Sequence, residues 1–148
     1  MEKVYQIIEE EMKTRGVESQ IANSGEDLTL RIMPENMGPD EDGVVITEVC
    51  RVPVEDEEYD YFQIYTTVAK EVGEEVYPRA MLKLNEINLS TLVGFYGILG
   101  SYGMVYHKHV AKIRTDSPEK MAKELFDMIC DVYGVIDNDY ADVFFAIR

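Results

Sequence analysis

His107 and His109 are the only two histidines in the 148-residue chain, and they stand two positions apart. On a strand that spacing sends both rings to one face, which is how a zinc or copper site could begin. Such a site needs a third and usually a fourth ligand, and no nearby Cys or carboxylate has fitting spacing. Lys108 and Lys112 mark the segment as polar, so the expectation is two exposed strand residues. Asp137-Asn138-Asp139 with Asp142, and Asp40-Glu41-Asp42-Gly43, hint at calcium. Neither fits the D-x-[DN]-x-[DN]-G loop with its distal Glu, and Asp137 or Asp139 reads as a helix cap. Gly94, Gly97, Gly100 and Gly103 recur every third residue. No helix opens after them, as a dinucleotide fingerprint requires, and no Gly-Lys-Ser/Thr follows, as a phosphate loop requires. Glycines in a strand mark a bulge or a close backbone approach. Ser, Thr and Cys nucleophiles need a positioned base, and two histidines on one strand leave few options. No catalytic residue, metal ligand or cofactor is assigned, and a non-enzyme is expected.

Charge narrows the partners. Fourteen bases against 29 acids give a net charge of −15. Residues 35–75 hold thirteen acids and two bases, whereas 76–148 hold nine and eight. Nucleic acid is disfavoured, because its binders replace condensed cations with Lys and Arg, and so is docking on anionic lipid. The acidic runs at 40–42, 55–58 and 71–75 read as solvated turns beside strands, or as a surface for a basic partner. Cys50 and Cys130 show no CxxC spacing and are expected as small buried apolar residues in a reducing compartment. The charged start Met1-Glu2-Lys3 is unlike a secretory signal, and a cytoplasmic location is expected. Residues 87–106 carry no charge and are long enough to span a bilayer. The Gly100-Ser101-Tyr102-Gly103 turn signal makes a buried hairpin the better reading.

The elements follow from periodicity. Val4, Ile7, Ile8 and Met12 predict a helix over 2–15, stopped by Gly16. Strands are predicted at 17–22, 28–33, 44–52 and 59–68, with a turn at Asn23 to Asp27 and a loop over 35–43. In the fourth strand Phe62, Ile64, Thr66 and Val68 share one face. Pro78 opens a helix over 77–88 with Ala80, Met81, Leu84 and Ile87 inward. Strands at 93–99 and 103–113 flank the glycine-rich turn. Ser117-Pro118 caps a helix with Met121, Leu125, Met128, Ile129 and Val132 inward. Gly134 is expected to interrupt it, leaving a possible further terminal helix. The order α-β-β-β-β-α-β-β-α, with strands arriving as hairpins, predicts one α+β domain over 1–148. Its largely antiparallel sheet carries helices on one face.

Leu84-Asn85-Glu86-Ile87-Asn88, followed by Gly94-Phe95, resembles a stretch of the bacterial YbjN-like family, described as sensory transduction regulators. That family shares its fold with the type III secretion chaperones, whose order is helix, three strands, helix, two strands, helix. Two features depart from the pattern: the acidic hairpin over 44–68 adds a strand, and the later hairpin turn is rich in Gly and Tyr rather than acid. The resemblance implies a small acidic homodimer that binds polypeptide segments without catalysis. Ten Tyr and no Trp suit either an interface or sheet packing. Phe95, Tyr96, Tyr102 and Tyr106 are the expected partner-binding residues. Asn85, Asn88 and Gly94 are expected to be structural, the asparagines ending their helix and bonding nearby backbone. A homodimer is expected through a sheet face or edge lined by 92–106. The alternatives are a small-ligand sensor with its pocket between the sheet and helix 77–88, and a carboxylate- or metal-dependent enzyme.

Overall fold

Alternating apolar and polar residues set the sheet in the computed structural model, which describes residues 1–24 and 27–148. Six strands pair antiparallel throughout in the order β1-β2-β3-β4-β6-β5. They are β1 (Glu18–Ser24), β2 (Asp27–Met33), β3 (Ile46–Val52), β4 (Tyr59–Ala69), β5 (Phe95–Leu99) and β6 (Met104–Arg114). Three helices, α1 (Glu2–Thr14), α2 (Tyr77–Ser90) and α3 (Pro118–Ala146), complete an α+β fold. α1 packs on α3 and β1, α2 on α3 and β5, and α3 on β6. Among the described residues no helix is long and apolar enough to cross a membrane.

Phe62, Ile64, Thr66 and Val68 are all buried, as the period of two demands. Phe62, Ile64 and Val68 join Leu30, Ile32 and Val49 from the neighbouring strands and Leu125, Ile129 and Ile136 from α3 in one core. Tyr5, absent from the predicted α1 stripe, is also buried there, its ring edge-on to Phe62.

Several expectations need correction. Gly134 does not interrupt α3, which runs unbroken to Ala146; a helical glycine costs only about 1 kcal/mol, and packing along a 29-residue helix outweighs it. Ser117 does cap that helix, its hydroxyl accepting from Lys120 N–H. Asn23, Ser24 and Asp27 belong to β1 and β2 rather than to a turn; Gly25 and Glu26 lie outside the described residues. β3 begins at Ile46 rather than at 44, and Met37 pairs with Gly43 in an isolated bridge before it. Met81 is exposed, so α2 turns only Ala80 and Leu84 fully inward. Cys130 is exposed and Cys50 half-buried.

Candidate functional site

The motif-bearing segment builds one joint between α2, β5 and α3. α2 runs beside β5, which forms one edge of the sheet. At its far end Tyr77 donates its hydroxyl to Gly100 C=O at 2.7 Å. At its near end the Asn88 carboxamide accepts from Tyr96 N–H at 2.7 Å and donates to Tyr96 C=O at 3.0 Å. The Tyr96 hydroxyl donates to Asp139 of α3 at 3.0 Å, while the Thr91 hydroxyl, 3.4 Å from the same oxygen, donates to Ile87 C=O at 2.9 Å. His107 of β6 reaches back to Val93 C=O through Nε2 at 2.8 Å. Gly94 lies between them with φ +70°, where a Cβ would stand 2.4 Å from His107 Cε1 and 2.6 Å from Lys108 C=O. Only glycine fits that backbone.

These contacts divide the expected site residues. Asn88 and Gly94 bond and fit the neighbouring backbone as expected. Asn85 does not: it is exposed and makes no side-chain hydrogen bond among the described residues. Phe95 and Tyr106 come together on the uncovered face, their rings 6.2 Å apart, with Tyr65 stacked 5.2 Å from Tyr106. Tyr102 projects from the hairpin, 70% exposed. Tyr96 is no surface residue. It is 2% exposed, because successive strand residues face opposite ways and Phe95 takes the uncovered side.

The histidine expectation also changes. His107 is fully buried rather than exposed, and His109 is half-buried on the same face. Burial holds both imidazoles below the ordinary histidine pKa. Asp137 and Asp139 cap no helix; both lie inside α3. Asp137 accepts from Gly38 N–H at 2.7 Å and so ties the acidic loop 37–43 to α3, while Asp139 anchors Tyr96. In the other acidic turn Asp56 accepts from Glu58 and Tyr59 N–H at 2.8 and 3.1 Å. Those backbone donors, Glu58 first, lower its pKa. Among the described residues no three His, Cys, Asp or Glu side chains gather where they could hold a metal. Leu84 of α2, Tyr96 of β5 and Val105 of β6 are buried in the common core.

Exposed leucines that the sequence reading did not single out adjoin this joint. Leu82 and Leu89 stand seven apart on α2, exposed, with Asn85 between them. Leu89 is 89% and Leu92 86% exposed, and Phe95 follows at 45%. Leu92 also borders an open cleft of about 440 Å³ shared with Thr91, Cys130, Gly134 and Asn138. The available signal was helical spacing itself: Leu82 and Leu89 lie off the Ala80–Leu84 stripe. No protein-family model matches the chain, and no curated protein matches it either.

Proposed function

We propose that the protein is a non-catalytic, cytoplasmic polypeptide-binding domain, chaperone-like or regulatory in the manner of the YbjN-like family. It holds an apolar segment of its partner on Leu82, Leu89, Leu92 and Phe95. The observation that carries this reading is the near-total exposure of Leu89 and Leu92 within a stretch, 87–106, that holds no charge in a chain of −15. Large apolar side chains left this exposed mark interaction sites when they join in a patch. The partner segment should be apolar and lack acidic residues, since the remaining surface repels anions. Side chains rather than strand addition should do the holding, because Asn88 already occupies the outward backbone groups of Tyr96.

A photo-crosslinking residue placed at Leu92 should capture a specific polypeptide from native lysate, and the same probe at Glu57 should not. Equal capture at both positions, or none at Leu92, would defeat the proposal. A second reading, favoured by the same charge-free segment, is that a second copy of the chain covers the patch in a homodimer.

A further inference from the structure

His107 sits in the middle of β6, fully buried, and its ring holds the connection between α2 and β5. A carbonyl oxygen carries no proton, so Nε2 must donate to Val93 and the neutral ring leaves Nδ1 bare. Nδ1 is buried and has no hydrogen-bond partner among the described residues. Thr66 of β4 is the register partner of His107. The Tyr96 ring of β5 stands edge-on to it at 4.9 Å. The titratable groups bearing on the ring are Tyr96 of β5, Asp139 of α3 and His109 on β6 itself. Asp139 is already engaged, accepting from the Tyr96 hydroxyl at 3.0 Å. A second proton on His107 would therefore place an N–H and a charge where the buried Nδ1 has no hydrogen-bond partner among the described residues, an arrangement buried groups avoid.

We infer that His107 is a proton-operated latch, whose protonation in mild acid frees the Val93–Tyr96 segment and the start of β5 from β6 and α3. Burial, the largest influence, disfavours the charged ring, with His109 acting in the same direction; Val93 C=O and Asp139 oppose them. A base with a depressed folded pKa is neutral in the native state. Its contribution to stability is complete above the unfolded value of about 6.5 and is lost as pH falls below it. Leu92 precedes the freed segment and Phe95 lies within it, so the latch would also regulate these exposed apolar residues. That consequence rests on the proposed function; the release of β5 does not.

Hydrogen exchange, corrected for intrinsic rates, between about pH 7.5 and about pH 4.5 tests the release. Protection over Phe95–Leu99 should fall at least ~10-fold further than protection over β2 and β3. His107→Gln can still donate to Val93 without titrating, and it should abolish this difference. In the unaltered protein, imidazole nitrogen shifts should report the Nε2–H form and a midpoint below about 6.5. Uniform loss across the sheet, unchanged β5 protection, or a midpoint above that value would overturn the latch. Failure of crosslinking at Leu92 at neutral pH would instead remove the polypeptide-binding reading and leave the exchange result standing.

Discussion

The Asn88 side chain meets the Tyr96 backbone as a paired donor and acceptor, taking its N–H at 2.7 Å and giving to its C=O at 3.0 Å. The side-chain amide thereby supplies what the next strand would have supplied at that position of β5. The same tyrosine is held from its other end by Asp139, so one residue of β5 joins two helices to the sheet.

Truncating that amide should be costly. Asn88→Ala leaves both Tyr96 groups without their partner and should lower unfolding free energy in urea by ~1–3 kcal/mol. Asn85→Ala, at an exposed position of the same helix, should stay within about 0.5 kcal/mol of the parent. Equal losses would show that the two asparagines share one structural role.

Two glycines should respond with opposite signs. Gly94→Ala puts a methyl against His107 and the Lys108 carbonyl at a positive φ and should destabilise by ~1–3 kcal/mol or prevent folding. Gly134→Ala meets nothing within 4 Å on a continuous helix and should stabilise by ~0.5–1 kcal/mol. Melting temperatures of the pair decide the point.

The tie between Asp137 and the acidic loop predicts a local effect. Asp137→Ala deprives Gly38 N–H of its acceptor and should cost ~1–3 kcal/mol. Limited proteolysis should then cut within residues 37–43 faster than in the parent. Unchanged cleavage would mean that Tyr140, whose ring lies against Gly38 and Gly43, holds the loop without help.

Alkali should unfold the domain through its buried phenols. Burial drives the Tyr5, Tyr96 and Tyr133 hydroxyls well above the ordinary tyrosine value. The folded state then retains protons that the unfolded chain releases, so stability is full below about pH 10 and falls as pH rises beyond it. Tyrosinate absorbance should rise gradually at first and then jump with loss of secondary structure. A smooth titration of all ten tyrosines without unfolding would contradict this.

If a second copy covers the patch, light scattering at micromolar concentration should give twice the 17.0 kDa chain mass. Leu92→Lys, which puts a charge on a residue that supports no core, should return the single-chain mass without lowering the melting temperature. A single-chain mass for the parent protein leaves the patch to a different polypeptide.

The element order was readable because local rules and burial agree. Leu30 and Ile32, and Phe62 through Val68, alternate as half-buried strands must, and Ser117-Pro118 announces its helix. His107 misled because Lys108 and Lys112 mark the segment as polar, yet period two puts both lysines on the opposite face from it. The opposition of Phe95 and Tyr96 was legible by the same rule. Asp137 and Asp139 were not legible: their partners lie 99 and 43 positions away, and spacing in the sequence carries no trace of such contacts.

The amide that closes β5 also bears on how so apolar a segment avoids fibrils. A twenty-residue run without charge that carries the edge strand of a sheet is the kind of template on which like chains stack in cross-β fashion. Charge repulsion from elsewhere in the molecule acts at a distance and weakens in salt. A side chain already bonded to the margin does not weaken in that way. Its loss should therefore show as seeded aggregation in high salt as well as in the lowered stability of the fold.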